Sequence, residues 1–269
     1  GVALNSVMNG RILREGVFDE VFIQPAAGDA GCALGAALYV HHVLMGRAER
    51  APMTSAALGP SYEEAEMRGA LEEAGLAWER PKDLTRRCAR ELAAGRILGW
   101  FQGRMEAGPR ALGHRSILAD PRGPEMKDTL NRRVKHREDF RPFAPSVLAE
   151  HCGGWFEGAH PSPWMLLVYR VRPEKRALVP AITHVDGTAR VQTVTAGDDP
   201  LFHDLIREFH ALTGVPMLLN TSFNGRGEPI VCSPRDAVRC FLATGMDTLA
   251  IGPFLAHSAR CPPLPAGTP

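Results

Sequence analysis

The apolar run Val215-Pro-Met-Leu-Leu219 passes without a break into Asn220-Thr-Ser-Phe-Asn224. A short strand of this kind is buried and ends in short polar side chains, so amide and hydroxyl groups collect at its carboxyl end, where they can hold an anion with little disorder. Gly225 and Gly227 then let the backbone approach a ligand. The rest of the chain alternates helix-period and strand-like segments, which predicts an α/β fold, or an α+β fold with a mixed sheet.

Residues 1–46 form one compositional block. Val2-Ala-Leu4 and Val21-Phe-Ile23 read as short strands, and Asp29 to Val40 as a helix rich in small residues. Gly-Val-Ala-Leu-Asn-Ser at the start reads as a strand and turn already under way. The chain is therefore expected to be the carboxyl-terminal part of a longer polypeptide, with unpaired strands leaving apolar surface bare around Val2–Leu4 and Val21–Ile23. Residues 47–60 carry Pro52, Gly59 and Pro60 and read as a linker. A second unit spans 61–257, and the proline-rich tail 258–269 reads as disordered.

Within the second unit, Ser61 to Glu64 has a capping-box pattern with a stop at Gly75. Helices are predicted around Leu84, Cys88 and Leu92, around Met126, Leu130 and Val134, over 201–212, and after Ser233. Strands are predicted over 97–101, 165–171, 189–194, 215–219 and 248–251.

With 269 residues, 45% of them apolar, the chain can bury a substantial core, and a net charge of +1 gives no global pull towards nucleic acid. Six cysteines without a C-x-x-C pair argue against a zinc knuckle or disulfide scaffold and fit a reducing cytoplasm. No apolar run reaches the roughly 20 residues of a membrane span.

Local charge is another matter. Arg104 to Arg141 carries ten Arg/Lys against six acids. Arg132, Arg133 and Lys127 read as a solvated helix face. Arg110 lies in a turn fixed by Gly108-Pro109 and Gly113, and Arg141 is flanked by Phe140 and Pro142-Phe143, which should pack its stem and aim its head. An arginine fork suits phosphate, and Lys135 supplies a compact charge. Arg190 follows the turn Asp186-Gly187; it is either an exposed residue beyond a hairpin or one more cation for the same pocket. Asp29, between Gly28 and Gly31, is either a helix N-cap or a ligand of a metal or metal-bound nucleotide.

These segments together resemble the NodU/CmcH-type O-carbamoyltransferases. The matching text includes Gly1-Val-Ala-Leu-Asn5, Gln24-Pro-Ala-Ala-Gly-Asp-Ala-Gly31, Gly99 to Glu106, Gly108-Pro-Arg-Ala-Leu-Gly-His-Arg-Ser-Ile-Leu-Ala-Asp-Pro-Arg122, Phe140 to Ser146 and Leu219-Asn-Thr-Ser-Phe-Asn224. The resemblance implies the tail of a Kae1-like (ASKHA) domain followed by a YrdC-like domain. It implies that the YrdC-like part makes carbamoyl-adenylate from carbamoyl phosphate and ATP. The Kae1-like part, with an iron-type divalent metal, then carbamoylates a hydroxyl of a small-molecule acceptor such as a sugar, an antibiotic or a nodulation factor. Arg110, Lys135, Arg141, Arg190, Asn220 and Ser222 match the substrate-binding positions, with Lys135, Arg141 and Arg190 expected to act in catalysis. Asp29 matches an acidic metal ligand, and Asn5 lies in the nucleotide-side turn. The family's metal-binding histidines lie upstream of Gly1, so Asp29 by itself should not hold a catalytic metal. Ala107 stands where the family has a large aromatic. A threonylcarbamoyl-adenylate synthase is the competing enzyme reading. A nucleic-acid-binding module would need exposed stacking aromatics, and only three tyrosines and four tryptophans are present, dispersed along the chain.

Overall fold

The computed structural model describes residues 1–261 and Leu264, so most of the tail expected to be disordered lies outside the described residues. In chain order the elements are α1 (Ser6–Glu15), α2 (Asp29–Tyr39), α3 (Glu64–Glu73), β1 (Trp78–Glu79), α4 (Leu84–Ala93), β2 (Leu98–Phe101), β3 (Arg115–Ala119), α5 (Met126–Leu130), β4 (Ala144–Leu148), α6 (Cys152–Trp155), β5 (Phe156–Glu157), β6 (Leu167–Val171), β7 (Thr188–Val194), α7 (Pro200–Thr213), β8 (Met217–Ser222), α8 (Pro234–Thr244), β9 (Thr248–Ile251) and β10 (Phe254–His257). One mixed sheet runs β1-β10-β9-β2-β3-β8-β4-β7-β6-β5. β2 with β9 and β4 with β7 are parallel, and every other pairing is antiparallel.

Successive strand residues face opposite sides. Every residue of β2, β3, β4 and β9 is buried, so the sheet centre is covered on both faces. The helix pairs α4/α7 and α3/α8 supply cover. Trp100, Leu118, Val147, Phe202, Leu205 and Phe209 are all fully buried in the shared core. Local chemistry fixes the ends of these helices. Asp199 caps α7 by accepting from the Phe202 amide at 3.0 Å, and Gly214 closes it at φ 74°. Ser233 and Asp236 form a capping box on α8.

The expected α/β class with a mixed sheet is observed. Three local expectations are corrected. Residues 2–4 and 21–23 form no strands, and no strand among the described residues pairs with them. Val2 and Phe22 are instead exposed at 77% and 69%. The first capping box is Glu63/Glu66 rather than Ser61/Glu64. Gly28, not Asp29, occupies the N-cap of α2. Strands β1, β3, β4, β5 and β10 lie outside the strands the sequence predicts.

Residues 47–60 have no regular structure but are tied to the body. Gly59 and Met105, Met105 and Pro60, and Ala107 and Ala56 exchange backbone hydrogen bonds of 2.7–3.0 Å. The amino-terminal block is held as well. The Asn9 amide donates to the Leu166 carbonyl at 3.2 Å and Arg14 to that of Val168 at 2.9 Å.

Candidate active site

Strand β8 lies between β3 and β4, and its polar end opens into a cleft. Two adjoining cavities of about 270 and 240 Å³ share Arg137, Arg141 and Ser222 in their walls. The first also presents Arg110, Arg190 and Asn220, and the second Lys135, Asn224 and Arg226. All six residues expected to bind substrate therefore face one cleft, although they span positions 110 to 222.

Arg110 sits in a turn that only glycines permit. Gly108 and Gly113 have φ of +113° and +110°, and a Cβ on Gly113 would lie 2.4 Å from the Phe202 ring. Ala107 does not disturb this turn; its amide bonds Ala56. Arg115, in contrast, is no part of the cleft. Its guanidinium is fully buried 3.7 Å over the Phe101 ring and donates to the carbonyls of Gln102, Gly103 and Pro60.

The electrostatics are lopsided. Nε of Arg110 and of Arg190 is buried without a hydrogen-bond partner, and neither side chain pairs with a carboxylate among the described residues. Burial, then the fields of Arg110 and Arg137, push Arg190 down to about 9. Lys135, buried in the wall, donates to the Ser222 carbonyl at 2.6 Å, Ser222 Oγ at 3.3 Å, the Asn224 carbonyl at 3.1 Å and Asn224 Oδ1 at 2.9 Å. Burial, then the field of Arg137, press that ammonium down to about 7. Arg141 corrects an expectation. Its side chain is 53% exposed and pairs with Glu138 at 2.9 Å, because Phe140 turns outward instead of packing its stem.

Neutral groups fix the floor. Asn220 Nδ2 donates to the Ala111 carbonyl at 3.2 Å, Ser146 Oγ at 2.9 Å and Gln192 Oε1 at 3.2 Å, leaving its buried Oδ1 without a partner. Among the described residues two non-glycines have left-handed backbone, His136 at φ 45° and Met165 at φ 57°, and both line the cleft. Strain of this kind collects at functional sites.

Sequence reading missed two members. Arg137 bridges the two cavities, with its guanidinium 4.7 Å over Phe143 and its Nε donating to Asn131 Oδ1 at 2.7 Å. Asn224 joins Lys135 to Ser222 through its Oδ1. Asn224 stood in the noted motif; Arg137 was hidden in a run of bases.

The residues assigned to the other end of the reaction do not gather here. Asn5 is exposed and caps α1, accepting from the Met8 amide at 3.1 Å. Asp29 is an exposed first-turn residue of α2. Among the described residues no group of three or more His, Cys, Asp or Glu side chains is placed to hold a metal ion. Asp29 offers one carboxylate where a fixed divalent ion needs several ligands, so these residues do not by themselves fit the implied metal.

The family profile described as carbamoyltransferase C-terminus matches residues 89–258, and that described as carbamoyltransferase N-terminus matches residues 1–38. This chain belongs to the NodU/CmcH-type carbamoyltransferase family. It is 48% identical over 266 residues to the nodulation protein NolO of Bradyrhizobium diazoefficiens, an alignment covering 96% of this chain and 48% of that protein. It is 35% identical over 258 residues to the 3'-hydroxymethylcephem-O-carbamoyltransferase of Amycolatopsis lactamdurans, covering 94% of this chain and 46% of that protein. The chain thus spans about half the length of these curated relatives. A solved structure of full-length HypF in a phosphate- and nucleotide-bound form overlaps 65% of this carbamoyltransferase-family chain and 22% of its own, with 19% identity and a TM-score of 0.46. No helix among the described residues is long and apolar enough to cross a membrane.

Proposed function

We propose that the cleft binds carbamoyl phosphate and ATP and joins them as carbamoyl-adenylate, the YrdC-like activity expected of residues 61–257. In the complete protein the carbamoyl group would then pass to a hydroxyl of a small-molecule acceptor. The balance of the first reaction consumes one water and releases orthophosphate and pyrophosphate. Water frees carbamate from its phosphate, and a carbamate oxygen then attacks the α-phosphorus of ATP as pyrophosphate leaves.

One observation carries this reading: Arg110, Arg137 and Arg190 converge on the end of β8 without a carboxylate to neutralise Arg110 or Arg190. Cations held close together in a half-buried wall raise the energy of the ligand-free protein, and a polyanion relieves it. The forks would grip phosphate oxygens and stabilise the charge that builds on the departing pyrophosphate. The amide and hydroxyl of Asn220 and Ser222 would orient the carbamoyl end without adding charge. Lys135 holds residues 222–224 in place and adds a fourth cation. No covalent enzyme intermediate is needed. Burial pushes the Cys152 and Cys240 thiols up to about 12 and 11, out of nucleophilic range.

The test is release of orthophosphate and pyrophosphate when carbamoyl phosphate and ATP are supplied together. Arg190→Ala should lower pyrophosphate release about 30- to 1000-fold, the effect of losing roughly 2–4 kcal/mol of charge stabilisation. Arg141→Ala should cost less, because Arg141 is half-exposed and already paired. Pyrophosphate release that ignores carbamoyl phosphate, or that survives Arg190→Ala, would refute the assignment.

A further inference from the structure

Behind the anion cleft, across the hydrogen-bonded pair Asn220 and Gln192, lies a third cavity of about 50 Å³ walled by Leu112 and Trp164 and carrying Glu106, His114 and Asp199. Its charge is opposite to that of the cleft. Glu106 is only 5% exposed. Its Oε1 accepts from the amides of Leu112 at 2.6 Å, His114 at 3.0 Å and Arg115 at 3.2 Å. Its Oε2 is buried and has no partner, and Glu106 is among the residues that wall the cavity. Asp199 repeats the pattern. Its Oδ1 caps α7 through the Phe202 amide, while its buried Oδ2 accepts no hydrogen bond and lies 3.7 Å from His114 Nε2. Burial, with a lesser push from Glu106, holds the Asp199 carboxyl above its usual range.

Two buried acceptors without donors define what is missing. It must bring N–H or O–H groups and positive charge. A divalent metal does not fit: each carboxylate has only one oxygen to give, and no group of metal-ligating side chains is found here among the described residues. The volume excludes a nucleotide, since a water-sized sphere needs about 10–15 Å³ of such space. An ammonium head has three N–H donors, enough for both oxygens, and Trp164 stands in the same wall.

We propose that the Glu106–Asp199 cavity binds a small primary ammonium group, held by charge-assisted hydrogen bonds to Glu106 Oε2 and Asp199 Oδ2. The full chain can be titrated with methylammonium chloride at constant ionic strength while its unfolding midpoint is followed. Tetramethylammonium chloride, of equal charge but with no N–H, serves as the control. Glu106→Gln keeps the oxygen that three amides need, and Asp199→Asn keeps a good helix cap, so both variants should fold; circular dichroism checks this. Methylammonium should raise the midpoint and tetramethylammonium should not. Each variant should weaken the apparent affinity by roughly tenfold or more. Equal effects of the two cations, or an unchanged methylammonium response in both variants, overturns the proposal. So does a wild-type chain blind to methylammonium while Glu106→Gln alone is stabilised, which would mean that the two carboxyls share a proton.

Discussion

Lys135 and Arg190 are ordinary basic residues placed where charge is unwelcome. A base depressed from its usual value to about 7 binds fewer protons in the folded than in the unfolded chain at pH 7–9. The sign follows: stability of the ligand-free protein rises with pH across that window, and Lys135→Met should flatten the slope measured by urea unfolding. Above about pH 9 the buried cysteines oppose the trend, because burial raises their pKa and unfolding lets them ionise. Anion binding reverses the depression. At pH 8 the binding of ATP should draw up to about one proton from solution. Calorimetry in two buffers of different ionisation enthalpy measures this, and identical heats in both would show that Lys135 does not feel the ligand. Asn220 and Ser222 were legible in the sequence because short polar side chains ended an apolar run. Arg190 became legible only through its motif. Arg137 was not legible at all, since nothing in a run of bases tells which one turns inward.

What turns it is an element. The helix α5 continues past Leu130 with a wider turn over Asn131–Lys135 and stops at His136, whose backbone is left-handed at φ 45°. The widening brings Lys135 into the wall, and the reversal at His136 puts Arg137 between the cavities. His136→Gly removes a steric cost of about 1 kcal/mol from the native state, partly offset by the freer unfolded chain. Stability should change by less than about 1 kcal/mol while pyrophosphate release falls, as the segment holding Lys135 and Arg137 loosens. A fall in stability of several kcal/mol would place His136 in the packing instead. The turn that carries Arg110 is the opposite case. Gly113→Ala sets a Cβ 2.4 Å from a buried ring at a φ of +110°, and should cost about 3 kcal/mol by thermal unfolding. Periodicity found α4, α7 and α8, whose apolar stripes repeat. It missed β3 and β4, because strands buried on both faces do not alternate and β4 contains Pro145.

At the scale of the molecule, burial is uneven. The ten-stranded sheet and its helices close a continuous core, yet α2 has no buried residue at all. Leu34, Leu38, Tyr39, Val43, Leu44 and Met45 along α2 and the turn after it are exposed, Leu44 at 68%. Strand-like sequence at Val2–Leu4 and Val21–Ile23 likewise forms no strand, and Val2, Val21 and Phe22 are exposed. Apolar side chains select a buried position only if something is there to bury them. An apolar surface of this extent favours self-association and dye binding. Leu38→Glu with Leu44→Glu should therefore cut 8-anilinonaphthalene-1-sulfonate fluorescence and shift the chain towards monomer in light scattering. The unfolding midpoint should stay within about 2 °C, because exposed positions contribute little to the core. If the double variant unfolds well below the parent, Leu38 and Leu44 contribute to the packed core and the exposed-surface argument fails.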